Sequence, residues 1–133
     1  MAAAARQRGG VNAYGGRDDN PAAIGRRMDE LDAAMDAAIK EYGRLGEAAA
    51  QAASDEETAY AKAFLGAEGS MDIRKQLALL QTVNERFIRR VADHQVKVQE
   101  KVLYRLHDLV DMTRSKGANI RKEIELAQSG GRP

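Results

Sequence analysis

Two long heptad patterns, separated by a short segment with two glycines, constrain the fold of this chain more than any other feature. The first pattern runs over about residues 24–64 and the second over about residues 71–127, with Gly66 and Gly69 between them. Spacings that alternate between four and three residues define the seam of a left-handed coiled coil. The sequence therefore predicts an all-α fold, a long antiparallel helical hairpin in which two helices form a coiled coil.

The seam positions follow from the spacing of apolar and small residues along each pattern. In the first helix they are Ile24, Met28, Leu31, Met35, Ala38, Tyr42, Leu45, Ala49, Ala52, Glu56, Ala59 and Ala63. In the second helix they are Ile73, Leu77, Leu80, Asn84, Phe87, Val91, His94 and Val98. An extra step of four residues then leads to Val102, Leu106, Leu109 and Thr113, and such an insertion locally unwinds a supercoil.

Capping residues set the predicted boundaries. Asn20 is a favoured N-cap and Pro21 suits the first helical position, while Ser70 can cap the second helix. The predicted organisation is a disordered Ala/Gly/Arg-rich tail (1–20), a helical hairpin (21–127) and a flexible C-terminus (128–133). Within the hairpin, helix one covers about residues 21–65, the turn residues 66–70 and helix two about residues 71–127.

Composition limits how much core such a hairpin can bury. Hydrophobic residues make up 44% of the chain, but much of this is alanine, and aromatic residues make up only 5%. The seam is therefore thin, and an isolated two-helix hairpin with a thin seam is marginally stable. We expect the chain to self-associate, most simply as a homodimer.

Charge is segregated between the two helices. Residues 28–68 carry ten acids and three bases, and residues 86–122 carry ten bases and four acids. Folding back at the turn would lay the acidic helix on the basic one, with Glu47 near Arg89 and Glu41 near Lys97. The same alignment places Phe87 over Ala49 and leaves helix two overhanging helix one from residue 117 onward.

Two polar residues interrupt the predicted seam of helix two. A polar residue in a coiled-coil seam fixes register or oligomeric state at some cost in stability. Asn84 and His94 are therefore predicted to set register. His107 and Asp111 are four residues apart, but two potential ligands make a poor metal site, so we predict a solvated pair and no metal or cofactor.

A basic cluster near the end of helix two has no acidic partner in the predicted alignment. It consists of Arg114, Lys116, Arg121 and Lys122. One interpretation is a nucleic-acid site that contacts phosphates, and the scarcity of aromatic residues argues against stacking on bases. The other is a solvated helix end or a contact between copies.

The turn carries four residues that a turn alone does not require: Phe64, Met71, Arg74 and Lys75. They form a candidate partner-binding tip. The chain has no arrangement typical of a nucleophile, a general acid–base pair or a phosphate-binding loop, so no catalytic residue and no small-molecule substrate are expected.

The sequence carries no signal for export or membrane insertion. It contains no cysteine, its start lacks the hydrophobic core of a secretory signal, and the longest strictly apolar run within the predicted helices has four residues, Leu77 to Leu80. A bilayer-spanning helix needs about 20 apolar residues. We therefore expect no membrane association and a cytoplasmic location.

Several short motifs around and beyond the turn resemble those of small helical proteins encoded by phages of actinobacteria. They are Ala63-Phe64-Leu65, Glu68-Gly69-Ser70-Met71-Asp72, Arg74-Lys75, Arg86-Phe87, and Arg114-Ser115 with Ala118, Arg121 and Glu123. The resemblance covers roughly residues 59–127. The function of this group is uncharacterised, and its genes tend to lie near phage genes for DNA replication and recombination. It implies no catalytic residues.

These observations predict a non-enzymatic phage accessory protein, a helical interaction module that assists DNA replication or recombination in the host cytoplasm. Its expected partners are a second copy of itself, another phage or host protein, and DNA. The alternative is a structural or assembly protein of the virion, such as a scaffold or an assembly chaperone.

Overall fold

The computed structural model describes residues 20–130, which form three helices: α1 (Pro21–Gly66), α2 (Met71–Gln81) and α3 (Val83–Gly130). No strand occurs within these residues. The prediction of an all-α helical hairpin is confirmed. The predicted disordered tail lies outside the described residues except for Asn20, and so do residues 131–133 of the predicted flexible C-terminus. No helix within the described range is long and apolar enough to cross a membrane.

The chain divides into two compact units, where the sequence predicted one hairpin domain. The tip unit comprises residues 37–103, which include the turn and α2. The terminal unit comprises residues 1–36 and 104–133, of which residues 20–36 and 104–130 are described. In the tip unit α1 contacts α3 in antiparallel order, since Ala38 bonds with Gln99 and Glu56 with Arg89. In the terminal unit Ile24 of α1 contacts Gly117 of α3.

The start of α1 is fixed by its predicted cap. The backbone N–H of Ala23 donates to Asn20 Oδ1 at 2.7 Å, and the N–H of Ile24 donates to the Asn20 carbonyl at 3.1 Å. Pro21 has no N–H to satisfy and occupies the first helical position. Asn20 therefore supplies partners that the first turn of a helix otherwise lacks.

The turn between α1 and α2 depends on one glycine and one cap. Gly69 has a φ of +116°, a value that L side chains rarely adopt. Ser70 follows as the N-cap of α2 and accepts a hydrogen bond from the Ile73 N–H at 3.4 Å. Asp72 places a negative charge in the first turn of α2, where the helix dipole favours it.

Thr82 divides the predicted second helix into α2 and α3. Its hydroxyl donates to the Ala78 carbonyl at 2.7 Å, and its backbone lies outside the helical region at φ −110° and ψ 19°. The Arg86 guanidinium donates to the Leu79 carbonyl at 2.7 Å and thereby satisfies an acceptor next to the break. A threonine hydroxyl that bonds back to the carbonyl four residues earlier locally distorts a helix. Helix two is thus not continuous over 71–127, and the break falls before the predicted insertion.

The predicted seam of α1 is confirmed. Leu31, Ala38, Leu45 and Ala52 are buried at seven-residue intervals. The other predicted seam positions are half-buried: Ile24, Met28, Met35, Tyr42, Ala49, Glu56, Ala59 and Ala63. Because α1 carries a single apolar line, its inward face was unambiguous from the sequence.

The predicted seam of helix two is wrong up to Val102. The positions that are buried or half-buried at heptad spacing are Ala78, Thr82, Glu85, Arg89, Ala92, Val96, Gln99, Leu103, Leu106, Val110, Thr113, Gly117 and Ile120. This line needs no four-residue insertion near Val98. From Ile73 to Val102, the apolar residues assigned to the seam face solvent instead, and Phe87 is 63% exposed rather than covered by Ala49.

Polar contacts and small residues hold the tip unit together. Arg89 Nη1 donates to Glu56 Oε2 at 2.9 Å, and this hydrogen bond raises the pKa of Arg89. Gln99 donates to the Ala38 carbonyl at 3.0 Å, and the Tyr42 hydroxyl donates to the Glu100 carboxylate at 3.1 Å. Arg89 therefore pairs with Glu56 and not with Glu47 as predicted, so the two helices meet in a different register.

Glu41 also has a different partner from the predicted Lys97. Its carboxylate accepts a 2.8 Å hydrogen bond from Arg44 Nε and a second bond from Arg44 Nη2, one turn along the same helix. This pairing lowers the pKa of Glu41. A lowered pKa in the folded state means that the stabilisation is present above the unfolded-state pKa and is lost as the pH falls through the folded-state pKa.

An NMR titration of side-chain carboxyl groups can check this pairing. We expect the midpoint for Glu41 to lie below the ordinary value of about 4.3, and to rise towards it in Arg44→Gln. Arg27→Gln, which removes a guanidinium elsewhere on α1, should leave the Glu41 midpoint unchanged. An identical Glu41 midpoint in the wild type and Arg44→Gln would contradict the assigned pair.

Candidate functional site

The terminal unit brings basic residues of two helices together. Ile24 of α1 lies against Gly117 of α3, where a Cβ on the glycine would be 3.4 Å from Ile24 Cγ2. At that distance a Cβ would be in ordinary van der Waals contact, so the two helices pack directly against each other here. The predicted overhang of helix two therefore does not begin at Gly117. Ile120 is still buried, and full exposure begins at Arg121.

Two open grooves lie beside this contact. One has a volume of about 520 Å³ and its lining includes Arg26, Arg27, Glu30 and Lys116. The other has a volume of about 470 Å³ and its lining includes Arg114 and Arg121. Ile24 and Thr113 border both grooves. We call the six basic residues of this region the basic end: Arg26, Arg27, Arg114, Lys116, Arg121 and Lys122.

The basic end combines predicted and unpredicted residues. Arg114, Arg121 and Lys116 line the grooves, whereas Lys122 is exposed and lines neither. Sequence reasoning missed Arg26 and Arg27 because it considered only the basic run of helix two. The predicted antiparallel alignment could have identified both residues, because it brings the start of the first helix to the end of the second.

The charge of the basic end suits an anionic ligand. From Thr113 to Lys122, α3 carries four basic and no acidic residues. Arg27 lies 4.0 Å from Glu30, but both side chains are more than half exposed, so this pair contributes little. The Arg guanidinium groups present planar forks of donors that match phosphate oxygens. None of the residues lining the two grooves is aromatic, so they offer no platform for base stacking.

Two of the four predicted tip residues are built into the turn. The Arg74 guanidinium donates to the Phe64 carbonyl through Nη2 at 3.1 Å and Nε at 3.3 Å. It also lies over the Phe64 ring, 4.5 Å from the centroid, and Tyr60 stacks on the same ring at 6.3 Å. Arg74 thus satisfies a carbonyl at the end of α1. Phe64 and Arg74 therefore stabilise the turn, contrary to the expectation that the turn does not need them.

The remaining tip residues are exposed. Met71 is 61% exposed and Lys75 is also exposed. Leu65, which sequence reasoning did not single out, is 76% exposed on the α1 side of the turn. A partner that recognises the tip would therefore contact Leu65, Met71 and Lys75.

Asn84 and His94 do not lie in the seam between the helices of the hairpin. Both are exposed, so the prediction that they set the register of the hairpin is wrong. They lie on a line of exposed residues with heptad spacing, which we call the outer stripe. Its members are Ile73, Leu77, Leu80, Asn84, Phe87, Val91, His94 and Val98, and its apolar side chains are 36–70% exposed.

His107 and Asp111 form the predicted solvated pair. Their Nδ1 and Oδ2 atoms are 3.5 Å apart, and both side chains are more than half exposed. Within residues 20–130, no group of three or more His, Cys, Asp or Glu side chains is placed to hold a metal ion.

Comparison with known proteins gives no identification. No protein-family model matches the sequence. No curated protein matches it, and no solved structure matches the fold. The resemblance to actinobacterial phage proteins therefore remains a prediction, and the functional argument depends on the residues themselves.

Proposed function

We propose that this protein is a non-enzymatic interaction module, encoded by a phage and active in the host cytoplasm, that assists DNA replication or recombination by binding nucleic-acid phosphates at the basic end. The observation that supports this proposal is the convergence of Arg26 and Arg27 from α1 with Arg114, Lys116 and Arg121 from α3 around two grooves. A solvated helix end would not require cations from two separate helices.

The chemistry of the basic end favours contacts with the phosphate backbone. Arginine side chains bind phosphate oxygens through pairs of N–H donors, and lysine adds a mobile point charge. Without aromatic side chains in the grooves, the site has no means of stacking on unpaired bases. Binding is then independent of sequence and weakens steeply with salt, because each phosphate contact releases counterions.

The same module is proposed to self-associate and to bind a further phage or host protein. The tip residues Leu65, Met71 and Lys75 are exposed at one end of the tip unit, where they suit a protein partner. No cofactor and no small-molecule substrate enter this proposal, because the basic end offers charge and shape but no nucleophile or acid–base pair.

A salt series of duplex-DNA binding tests the proposal. The variant Arg114→Gln/Lys116→Gln/Arg121→Gln/Lys122→Gln should bind more weakly than the wild type at every salt concentration. Its slope of log affinity against log salt should be shallower by up to about 3.6, since each lost phosphate contact contributes about 0.9. Fluorescence anisotropy with a labelled duplex measures both quantities.

The matched control removes four positive charges from the tip unit. Lys40→Gln/Lys62→Gln/Lys75→Gln/Lys101→Gln has the same net charge as the test variant, and all four lysines are exposed. It should retain most of the affinity and the wild-type slope. Equal losses in the two variants would mean that net charge, and not the basic end, determines binding.

The second candidate is a structural or assembly protein of the virion. The exposed outer stripe favours it, because a long apolar helix face is typical of proteins that build assemblies. Absence of DNA binding at low salt, together with large oligomers that grow with concentration, would select this function over the first.

A further inference from the structure

We infer that the outer stripe is the site at which a second copy of this chain packs in parallel and in register, forming a coiled coil between the two copies. This inference rests on the proposed self-association and adds its surface, orientation and specificity. The surface lies entirely within the tip unit and does not include the basic end.

The outer stripe has the geometry of a coiled-coil seam. Its members alternate at spacings of four and three without interruption from Ile73 to Val98, a length of about 39 Å at 1.5 Å per residue. Across Thr82, the Thr82 N–H still donates to the Ala78 carbonyl and the Arg86 N–H to the Thr82 carbonyl, at 3.2 and 3.1 Å. The helical phase therefore continues from α2 into α3.

The α1 helix of the same chain cannot cover this stripe because it already packs on the opposite line of helix two. That inner line contains Ala78, Thr82, Glu85, Arg89 and Ala92. This inner line is less apolar than the outer stripe. In the outer stripe, Leu80 is 70% exposed and Phe87 is 63% exposed. Helix two thus presents two seams. The more apolar one is mostly exposed, and its Phe87 and Val91 border a groove that Ala48 and Ala52 of α1 also line.

Heptad identity points to a paired assembly. If Leu77 is placed at heptad position a, then Asn84, Val91 and Val98 also occupy a positions, while Ile73, Leu80, Phe87 and His94 occupy d positions. β-Branched residues at a and leucine at d favour two-stranded parallel coiled coils, and Val91, Val98 and Leu80 follow this pattern, whereas Leu77 at a and Ile73 at d do not. An asparagine at a single a position is a known device for fixing register and number of strands.

The two polar layers select a second copy in parallel. In an in-register parallel pair, Asn84 meets Asn84 and His94 meets His94. An amide and a neutral imidazole each carry a donor and an acceptor, so each can hydrogen-bond to its own kind. A shifted antiparallel pair would set Asn84 against His94, but it would leave Ile73 and Leu77 without a facing layer. In the antiparallel pair that aligns the whole stripe with itself, Asn84 would face Phe87 and His94 would face Leu77. Each such layer would leave a buried polar group without a partner, at a cost of about 1–3 kcal/mol.

The flanking residues are also compatible with a parallel pair. Each g position faces the e position of the next heptad in the second copy. Val83 would then meet Ile88, Arg90 would meet Gln95, and Lys97 would meet Val102. The pair of Val83 and Ile88 extends the apolar contact. The other two pairs place each basic residue opposite an uncharged one.

The area of the stripe comes close to what such a dimer needs. A strip about 39 Å long and about 11 Å wide, the diameter of a helix, covers about 430 Å² on each copy. The two copies together bury about 860 Å² before side-chain corrugation is counted, which approaches the roughly 1,000 Å² expected of a biological interface.

Sedimentation velocity of the full chain tests the surface. The wild type should be a dimer at micromolar concentration, and Leu80→Glu/Val91→Glu should be monomeric with unchanged helical circular dichroism. Ile39→Glu is the control, because Ile39 is equally an exposed apolar residue but lies on α1, away from the stripe. A monomeric wild type, or a dimer that persists in Leu80→Glu/Val91→Glu, would overturn the inference.

Disulfide trapping tests the orientation, because the chain has no cysteine of its own. Oxidised Leu80→Cys should give a covalent homodimer, since a parallel pair brings the two copies of position 80 together. An antiparallel pair would instead join Leu80→Cys to Val91→Cys in a mixture of the two variants. Preferential formation of that mixed disulfide would exclude the parallel arrangement.

The outcomes separate this inference from the proposed function. The basic-end variant should remain dimeric, and a wild type that dimerises through the stripe but does not bind DNA would refute only the nucleic-acid proposal. Conversely, DNA binding by a wild type that stays monomeric would refute the proposed self-association and the second copy as the occupant of the stripe, but not the nucleic-acid proposal.

Discussion

Replacing Ala78 by leucine is expected to lower the free energy of unfolding by about 2–3 kcal/mol. Ala78 is 0% exposed, and its carbonyl accepts the hydrogen bonds of Thr82 at the break between α2 and α3. Three added carbon atoms have no room there, so they must displace α1 or disturb the Thr82 junction, and overpacking of this kind costs about 1–3 kcal/mol. Urea unfolding followed by circular dichroism measures the loss.

The informative comparison is with Leu80→Ala, two residues away. If helix two packed through the predicted seam, Leu80→Ala would create a cavity costing about 2–5 kcal/mol, and Ala78→Leu would be a nearly neutral surface change. The observed seam predicts the opposite, a larger loss of stability for Ala78→Leu than for Leu80→Ala. Because Leu80 belongs to the outer stripe, both variants should be measured over a range of protein concentrations, since any contribution of association depends on concentration. If Leu80→Ala lost more unfolding free energy than Ala78→Leu at every protein concentration, the seam predicted from the sequence would be supported instead.

The structure of α1 was predictable because its sequence pattern allows one interpretation. α1 has one line of apolar and small residues, and every one of its predicted seam positions is buried or half-buried. Its cap at Asn20 and the turn at Gly69 and Ser70 also follow from local chemistry, because few residues satisfy a helix start or a positive φ. Local signals therefore determined both ends of α1 and the start of α2.

Helix two was not predictable to the same degree because it carries two lines with the same period. Periodicity alone cannot decide which line faces α1, and choosing the more apolar line gave the wrong face. Two features favour the buried line. It buries the small residues Ala78, Thr82 and Ala92, and it lets Arg89 and Gln99 bond to α1 at Glu56 and at the Ala38 carbonyl. The predicted insertion near Val98 arose where the wrong line had to rejoin the buried one.

The candidate site was half predictable for a related reason. The four basic residues of α3 stand out as a run without acids, whereas Arg26 and Arg27 lie close to Asp29 and Glu30 and have no such signal. Their role depends on the contact between Ile24 and Gly117, which only the register provides. The register error likewise displaced the predicted partner of Arg89 by nine residues, Glu47 in place of the observed Glu56.

The second large effect is expected at the turn, where Gly69→Ala should destabilise the protein by about 2 kcal/mol. At a φ of +116°, an alanine methyl group clashes with its own backbone, and strain of this kind costs about 1–3 kcal/mol. A Cβ at this position would also lie 3.2 Å from Ile73 Cγ2, which is shorter than an ordinary van der Waals contact. The chain can relieve the strain only by rotating the turn, which would disturb the Ser70 cap and the hydrogen bonds from Arg74 to Phe64.

Gly66→Ala is the matched control, because the same methyl group is added at the other end of the turn. Gly66 is the last residue of α1, and a Cβ there would meet no atom within 4 Å. Alanine is favoured over glycine in helices by up to about 1 kcal/mol, so this variant should be neutral or slightly more stable than the wild type. Unchanged m-values in urea unfolding would show that both substitutions change stability and not the compactness of the denatured state. If the two substitutions had equal effects, the positive φ at Gly69 would not be the feature that fixes the turn.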